Sequence, residues 1–256
     1  MNASSVCIVC SDPARKTEAS TLARKAGLPL LDYKSNDFEL QLCFEHDYME
    51  LYDSRLNTGI HVDFTEGALA HRRQFGGGRG QAIARAIGLK HGNNPDVLDI
   101  TAGLARDAYV LASLGCKVTL VEQSVVLYTL VQDGIRRGLA NEASTDVLKN
   151  LMNLVHADSV LYMEHLDKTT KPDVIYIDPM YPDRKKSALV KKDMQILQHL
   201  LGEDENAPLL LKTALENTTS RVVVKRPVHA APVNGIMPST SISSKKTRYD
   251  VYLVNK

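Results

Sequence analysis

The 256-residue chain has no tryptophan, only four phenylalanines and four cysteines, and no long uninterrupted run of apolar residues. No segment therefore approaches the roughly 20 apolar residues that a helix needs to cross a bilayer. The first residues also lack the basic leader, apolar stretch and small-residue cleavage site of a secretory signal. We therefore predict a cytoplasmic protein that makes no contact with a membrane.

The cysteines are too few and too scattered to form a disulfide framework. Cys7 and Cys10 form a C-x-x-C inside the apolar run 6–10, but no second pair completes a tetrahedral zinc site. Residues three apart in a strand point to opposite faces. We interpret these residues as buried free thiols and predict that the protein has no metal site.

Excess charge of one sign is also missing, since the formal net charge is only +1. Its distribution is uneven, however. Residues 1–75 contain 8 Lys and Arg against 11 Asp and Glu, whereas residues 221–256 contain 7 against one. The C-terminal region is therefore expected to be locally basic, as a phosphate-binding surface would be.

Residues 1–70 predict a small N-terminal α+β lobe. Asp12 and Pro13 supply an N-cap and a first-turn proline for a helix that ends near Ala26, before Gly27. Short apolar segments without intervening helices indicate a mostly antiparallel sheet. The candidate strands are Val6–Cys10, Leu28–Tyr33, Phe38–Phe44, Tyr48–Tyr52 and Ile60–Phe64.

Residues 71–94 form a connector that is rich in glycine and arginine. Four glycines within 76–80 rule out a regular element there, because each adds backbone freedom that folding must remove. The segment is either a flexible linker or a loop that closes over an anion, and Arg72, Arg73 and Arg79 favour the loop. One or two helical turns are predicted over 81–88.

Residues 95–256 alternate between strand and helix patterns, which predicts an α/β domain with a parallel sheet. The predicted strands are Val97–Ile100, Lys117–Glu122, Leu151–His156, Asp173–Asp178 and Arg221–Lys225. The predicted helices are Ala105–Leu114, Ser124–Gly138, Ala188–Leu201 and Leu209–Glu216. Two final segments, Ser239–Ser243 and Arg248–Val254, predict an antiparallel hairpin at the sheet edge.

Polar residues follow several of these strands, where open α/β sheets bind ligands. The turn 101–107 contains one glycine, Gly103, rather than the three of a dinucleotide fingerprint, which disfavours a pyrophosphate ligand. Arg106 and Asp107 offer a charge for each end of a zwitterion, or are a solvated first helical turn. Glu122 ends the next strand, where an acid binds ribose hydroxyls, or charges a helix N-terminus. Asp158 and Ser159 either contact an adenine edge or cap the next helix.

The most distinctive segment is Asp173–Pro182, with the sequence DVIYIDPMYP. Its first half predicts a buried strand, and Pro179 ends the strand because it has no backbone N–H to donate. Asp178 therefore supplies a carboxylate at the ligand-binding edge, and the backbone carbonyl of Pro179 and the ring of Tyr181 follow it in the chain. An Asp-Pro turn without function is the alternative.

Taken together, these motifs resemble S-adenosylmethionine-dependent methyltransferases of the Rossmann-like class I. More narrowly, they are similar to the ribosomal RNA small subunit methyltransferase J family over about residues 60–254. The segments that carry the resemblance are ALAHRRQFGGGRG at 68–80, TAGLARD at 101–107, DPMYP at 178–182, KKSALVKK at 185–192 and RVVVKRP at 221–227. Ala105 departs from the second glycine that is frequent at this position in the family.

The resemblance implies methyl transfer to the exocyclic N2 of a guanosine in small-subunit ribosomal RNA, free or in the assembled subunit. It implies that S-adenosylmethionine is bound by Arg106, Asp107, Glu122, Gln123, Asp158, Ser159 and Asp178. Because the N2 lone pair is delocalised, acceptors on its protons favour attack, and we expect Asp178 and the Pro179 carbonyl to be these acceptors. Tyr181 is expected to stack on the extruded base.

Basic residues near these motifs are either solvated surface or RNA-phosphate contacts, and their proximity to the predicted base pocket favours RNA. The predicted contacts are Arg72, Arg73, Arg79, Lys185, Lys186, Lys191, Lys192, Lys225 and Arg226. Two other functions stay open at this point. The chain is either a DNA or protein amine methyltransferase with the same acidic strand end, or a non-catalytic RNA-binding module on the same fold.

Overall fold

The computed structural model describes residues 6–66, 78–90, 92–180, 192–202, 206–245 and 247–254. Internal contacts divide the chain into two compact units. The first comprises Met1–Val62, Ser124–Arg137 and Met180–Glu203, and the second comprises Asp63–Gln123, Gly138–Pro179 and Asp204–Lys256. The boundaries at 70 and 94 that the sequence suggests stay a prediction.

A five-stranded sheet forms the first unit, with the spatial order β2-β1-β3-β4-β5. Its strands are β1 (Val6–Val9), β2 (Leu30–Leu31), β3 (Leu40–Phe44), β4 (Met49–Asp53) and β5 (Thr58–Ile60). The prediction of a mostly antiparallel sheet is wrong for β1, which pairs in parallel with both β2 and β3. The helix between β1 and β2 explains the first of these pairings, because a crossover returns the chain to the end of the sheet from which it started.

That helix begins and ends where the sequence predicts. Asp12 accepts a hydrogen bond from the Ala14 N–H at 2.8 Å and starts a short 3-10 turn, Pro13–Arg15. Helix α1 (Lys16–Ala26) follows and ends at Gly27, whose φ of 65° lies in the left-handed region. Glycine enters this region without a steric penalty, so it is a common helix terminator.

Two later segments complete the first unit: α4 (Val125–Gly138) and α7 (Lys192–Leu201). In α4, the buried Asp133 accepts a hydrogen bond from the Met49 N–H of β4 at 2.9 Å. In α7, the two ring nitrogens of His199 each lie 2.8 Å from a carboxylate oxygen, one of Asp53 and one of Glu39. Polar bonds, including those to the buried Met49 and Asp53, thus hold both helices against the sheet.

The second unit is built on a seven-stranded sheet with the order β11-β12-β10-β9-β6-β7-β8. Its strands are β6 (Val97–Asp99), β7 (Val118–Glu122), β8 (Met152–His156), β9 (Val174–Ile177), β10 (Arg221–Pro227), β11 (Thr240–Ser243) and β12 (Thr247–Leu253). Five strands run in parallel, and the terminal hairpin β11–β12 adds an antiparallel edge. This confirms the predicted Rossmann-like sheet.

The helices of this unit among the described residues are α2 (Ala82–Ala86), which precedes β6, and α3 (Arg106–Ser113), α5 (Glu142–Leu151), α6 (Ser159–Glu164) and α8 (Ala207–Glu216), which lie between its strands. Sequence reasoning missed α5, which Asn141 caps by accepting a bond from the Ala143 N–H at 2.9 Å. No helix among the described residues is long and apolar enough to cross a membrane.

The core of this unit follows from strand register. Leu98, Ile175 and Val222 occupy paired positions on β6, β9 and β10, so they form one row on the same face. Leu211 and Ala214 of α8 belong to the same buried cluster. Burying one such aliphatic side chain stabilises a fold by about 1.5–3 kcal/mol. The packed rows fix the parallel strands, so their carboxyl ends form one rigid edge.

Candidate active site

Three acidic residues lie at the carboxyl ends of adjacent parallel strands in the second unit. Asp99 is the last residue of β6, Glu122 is the last residue of β7, and Asp178 directly follows β9. Asp99 and Glu122 are buried, whereas the side chain of Asp178 is 36% exposed. This is the edge where open α/β sheets bind ligands.

The turn after β6 is held by the strand beside it. The Gly103 N–H donates a hydrogen bond to Oε2 of Glu122 at 2.9 Å. Gly103 has a φ of 53° and Ala105 a φ of 56°. Both residues are thus left-handed, and an L-residue such as Ala105 pays about 1–2 kcal/mol for that conformation. The geometry explains why a second glycine would suit position 105.

Three hydrogen bonds through Thr101 connect the ends of β6 and β9. Asp99 Oδ1 accepts bonds from the Thr101 N–H at 3.1 Å and from the Thr101 hydroxyl at 3.4 Å. The same hydroxyl oxygen accepts a bond from the Asp178 N–H at 2.7 Å. Thr101 therefore fixes the backbone of Asp178, and sequence reasoning missed both Thr101 and Asp99. The available signal was the position of Asp99 at the end of its strand, equivalent to that of Glu122.

The electrostatics of Asp99 follow from its burial. Loss of hydration raises its pKa to about 7, and the Thr101 N–H opposes this by stabilising the charged form. The carboxylates of Asp107, Asp178 and Glu122 raise the pKa further. Several negative charges are thus concentrated at this edge.

Lys225 of β10 lies between two of the predicted site residues. Its Nζ is 2.6 Å from Oδ2 of Asp178 and 2.9 Å from Oδ2 of Asp107. The hydroxyl of Tyr176 donates a second hydrogen bond to the same Asp107 oxygen at 2.7 Å. Burial by itself would lower the pKa of Lys225, but the two carboxylates outweigh it and raise that pKa.

The neighbouring groups respond to the same environment. Loss of hydration raises the pKa of Asp178, with Asp107 contributing and Lys225 opposing. Burial raises the pKa of Tyr176 well above its ordinary value, and the nearby Asp107 carboxylate adds to the effect. A neutral Tyr176 hydroxyl is therefore a permanent donor to Asp107.

The predicted phosphate-binding residues of this unit have partners within the fold. Lys225 is paired as described, and Arg226 is buried and donates to the Ala231 carbonyl. Arg79 donates to the Lys90 carbonyl at 2.7 Å and to the Asn94 side chain at 2.8 Å. All three residues therefore have a structural role within the fold, and their contacts with RNA stay predictions.

The remaining cofactor candidates after β8 have defined local roles. Asp158 is exposed and caps α6 by accepting a bond from the Leu161 N–H at 2.9 Å. Ser159 is buried, and its hydroxyl donates to the Ile100 carbonyl at 2.6 Å. The carbonyl of Gln123 lies 3.2 Å from Nε2 of His156. These bonds place the end of β8 beside the ends of β6 and β7.

Other predicted residues lie at the helix starts or outside the described residues. Arg106 is exposed at the first position of α3, and Lys192 is exposed at the first position of α7. Pro179 is buried directly after Asp178. The predicted residues outside the described part of the chain are Arg72, Arg73, Tyr181, Lys185, Lys186 and Lys191.

A cavity of about 310 Å³ lies elsewhere, in the first unit, lined by Cys10, Ser11, Pro13, Lys16, Asp32 and Tyr33. Its lysine is already paired with Asp32, and no predicted site residue lines it. Within the described part of the chain, no group of three or more His, Cys, Asp and Glu could hold a metal ion. The acidic edge is therefore the better candidate site.

The acidic side chains at this edge suit S-adenosylmethionine as a ligand. The ligand carries a sulfonium and an ammonium against one carboxylate, so its net charge is positive. Glu122 contacts the turn at Gly103, and Asp107, Asp178 and the partly ionised Asp99 lie close to one another, with Lys225 paired to two of them, so a net negative charge remains beside the turn. The same charge would repel a pyrophosphate, and the turn offers one glycine for the close backbone approach that a dinucleotide requires. The residues present thus fit a cationic nucleoside.

Comparisons with known proteins agree with this geometry. The sequence profile of a family described as "Putative SAM-dependent methyltransferase" matches residues 21–254. The ribosomal RNA small subunit methyltransferase J of Colwellia psychrerythraea is 53% identical over 222 residues, which cover 86% of this chain and 80% of that protein. The protein of the same name from Coxiella burnetii is 46% identical over 250 residues, 96% of each chain.

Among solved structures, a SAM-dependent methyltransferase from Neisseria gonorrhoeae superposes with a TM-score of 0.76 and 35% sequence identity. The match covers 98% of this chain and 96% of that one. The similarity therefore extends over both units of the chain.

Proposed function

The chain belongs to the ribosomal RNA small subunit methyltransferase J family, and from this membership we propose that it methylates the exocyclic N2 of a guanosine in small-subunit ribosomal RNA. The observation that supports the proposal is the Asp178-Pro179 segment, which directly follows β9 at the ligand-binding edge and whose Asp178 N–H bonds to Thr101, two residues before Gly103. We propose further that the protein acts in the cytoplasm.

The cofactor is S-adenosylmethionine. When bound, it supplies an electrophilic methyl group on a sulfonium. Glu122 would accept hydrogen bonds from the ribose hydroxyls, as an acid at this strand end does in nucleotide-binding folds. Arg106 and Asp107 would pair with the charged ends of the methionine moiety. Asp158, Ser159 and the Gln123 segment would contact the adenine.

The target amine needs help because its lone pair is delocalised into the guanine ring. The Asp178 carboxylate and the Pro179 carbonyl would accept hydrogen bonds from its two N–H groups, which favours the pyramidal geometry of an attacking amine. Thr101 fixes the Asp178 backbone, so the acceptors are held in place before the substrate arrives. Tyr181 would stack on the base, a contact worth about 1–3 kcal/mol.

RNA binding would come from positively charged side chains. Lys192 is exposed, and its predicted partners in this role are Arg72, Arg73, Lys185, Lys186 and Lys191. Such residues neutralise phosphates, so they position the RNA without reading its sequence. Arg79 and Arg226 already donate hydrogen bonds within the fold, so their proposed RNA contacts would add to these structural bonds.

The function is tested by methyl transfer from labelled S-adenosylmethionine to small-subunit ribosomal RNA, both naked and assembled into subunits. Nuclease digestion and mass analysis then identify the modified nucleotide. The expected product is N2-methylguanosine at one position of the RNA. The same modification should be absent at that position from the ribosomal RNA of cells that lack the gene. Label in DNA or protein substrates but not in RNA would contradict the proposal.

A non-catalytic RNA-binding module is the remaining alternative. Calorimetry with S-adenosylmethionine separates it from an enzyme, because a module without cofactor affinity has no donor to transfer from. The Asp178→Ala variant is the matched control for transfer. Equal label in the wild type and in this variant would show that the product arises at another site.

A further inference from the structure

The ammonium of Lys225 contacts two carboxylates. Nζ lies 2.6 Å from Oδ2 of Asp178 and 2.9 Å from Oδ2 of Asp107. The lysine side chain is 28% exposed and that of Asp107 is 10% exposed. Partial burial strengthens such a bond, because water screens it less.

The geometry brings two negative charges close together. Because each Oδ2 atom lies within 2.9 Å of one nitrogen, the two oxygens are less than about 6 Å apart. Two carboxylates at this separation disfavour each other's ionisation, and one of them takes up a proton more readily. A cation between them removes that conflict.

Other charged or titratable groups also face this pair. Asp99 of β6 and Tyr176 of β9 interact with both carboxylates, and behind them Glu122 of β7 interacts with Asp99 and Tyr249 of β12 with Tyr176. The groups that shift these pKa values are thus mostly acidic, and the pairing with Lys225 supplies the compensating positive charge. Arg226 is the next residue along β10, but its side chain donates to the Ala231 carbonyl.

We infer that Lys225 is a positioning residue for methyl transfer, which keeps Asp178 and Asp107 ionised together and holds the Asp178 carboxylate through Oδ2. The inference rests on the proposed role of Asp178 as the acceptor for the target amine. A carboxylate has about four lone-pair sites. The bond at Oδ2 therefore leaves acceptor capacity for the substrate.

This assignment differs from the role that the sequence suggests for Lys225. An RNA-phosphate contact requires the ammonium to face a phosphate. A lysine that is held by two carboxylates instead changes the ionisation of its neighbours. The two roles predict opposite results for RNA affinity and for the pH dependence of the transfer rate, so one set of variants separates them.

The first measurement uses the free protein and needs no RNA. Aspartate carboxyl carbons are labelled with ¹³C, and the Asp178 signal is assigned by its loss in Asp178→Asn. Lys225→Met retains the length of the side chain without its charge. We expect the titration midpoint of Asp178 to rise by about one pH unit or more, since an opposite charge at this distance shifts a carboxyl pKa by about 1–3 units. An unchanged midpoint would overturn the inference.

The second measurement is single-turnover methyl transfer as a function of pH. Lys225→Met should lose about tenfold or more in rate at neutral pH, with the acid limb of the profile moved to higher pH. RNA affinity should stay within about twofold, because no phosphate contact is removed. Lys225→Arg retains a cation with several donors and should recover most of the rate. Lys117→Met, at the exposed amino end of β7, is the matched control and should behave like the wild type.

Two results would contradict the inference in different ways. Weaker RNA binding with an unchanged pH profile would make Lys225 a phosphate contact. Equal loss in Lys225→Arg and Lys225→Met, with equal loss of thermal stability and no change in the profile, would leave only a structural role.

If Lys225→Met does not fold, the Lys225→Arg titration decides, since a midpoint outside about half a pH unit of the wild type overturns the inference. If the wild type transfers no methyl to ribosomal RNA, the proposed function fails, while the carboxyl titration still tests the Lys225 assignment.

Discussion

The carboxylate of Glu122 accepts a hydrogen bond from the backbone N–H of Gly103, with 2.9 Å between nitrogen and oxygen. This bond joins the end of β7 to the turn after β6, and Glu122 is only 6% exposed. The residue proposed to bind ribose therefore also shapes the turn beside the cofactor. One of its oxygens is committed to the fold, which makes its two roles separable by substitution.

Replacing Glu122 with Ala should weaken S-adenosylmethionine binding by at least about tenfold, because a hydrogen bond to a charged group contributes about 1.5–3 kcal/mol. Glu122→Gln retains an acceptor for the Gly103 N–H but loses the charge. Its affinity for S-adenosylmethionine should therefore lie between those of the wild type and Glu122→Ala. Calorimetry measures both affinities. Glu142→Ala, at the exposed start of α5, is the control. Unchanged affinity in Glu122→Ala would remove Glu122 from the site.

The strand ends were predictable from sequence because strand and turn patterns are local. Asp178 and Glu122 lie where apolar strands stop, and the structure places both at one edge. The bridge from Lys225 to Asp107 and Asp178 was not predictable, because these residues lie 118 and 47 positions away from Lys225. Only the order of strands in the folded sheet brings them together.

The parallel pairing of β1 and the helix α5 were missed for different reasons. A strand pattern does not state the direction of its partner, and the crossover α1 decided the direction of β2 relative to β1. In α5, polar residues separate the apolar positions, and its start depends on the Asn141 cap. Tertiary packing of the buried Ser144 and Leu148 completes that helix.

A second prediction concerns the proposed RNA-binding lysines. Replacing Lys185, Lys186, Lys191 and Lys192 with Ala should weaken RNA binding for all sequences and reduce its dependence on salt, because each phosphate contact releases counterions. Affinity for S-adenosylmethionine should not change. The measurement is the slope of log K against log salt concentration. A slope equal to that of the wild type would identify these lysines as solvated surface.

A third prediction follows from the buried carboxyl of Asp99. Its pKa of about 7 in the folded protein lies above the 3.8 expected in the unfolded chain, so the folded state binds the proton more tightly. The free energy of unfolding should therefore fall as pH rises from about 4 to 7, and the loss is on the order of 4 kcal/mol when complete. Below this window the group contributes no penalty, because both states are protonated.

The Asp99→Asn variant tests this directly. An amide has nearly the same shape and no ionisation, so the stability difference between variant and wild type should be small near pH 4 and should favour the variant near pH 8. Denaturant unfolding of the free protein measures it, with the exposed Asp146→Asn on α5 as the control. A difference that does not vary with pH would show that Asp99 ionises normally in the folded protein.

The last prediction concerns the chemistry at Asp178. Its N–H is fixed by Thr101 and its carboxylate is paired with Lys225, so both the position and the charge of the acceptor are set by neighbours. The target amine gains positive character as it attacks the methyl group. A negative charge held nearby should stabilise that transition state by several kcal/mol, and a neutral acceptor should not. Asp178→Asn separates these effects, because its amide keeps one acceptor oxygen and loses the charge.

We expect Asp178→Asn and Asp178→Ala both to slow single-turnover transfer at saturating cofactor by far more than they weaken RNA binding. A role limited to hydrogen bonding would spare Asp178→Asn, so a near wild-type rate in that variant would contradict the electrostatic part of the mechanism. A near wild-type rate in Asp178→Ala would contradict the site assignment itself. Of the two carboxylates that contact Lys225 in the wild type, Asp178→Asn leaves only that of Asp107. The double variant Asp178→Asn with Lys225→Met should therefore be no slower than Asp178→Asn alone, because a positioning residue has no effect once the group that it positions is lost.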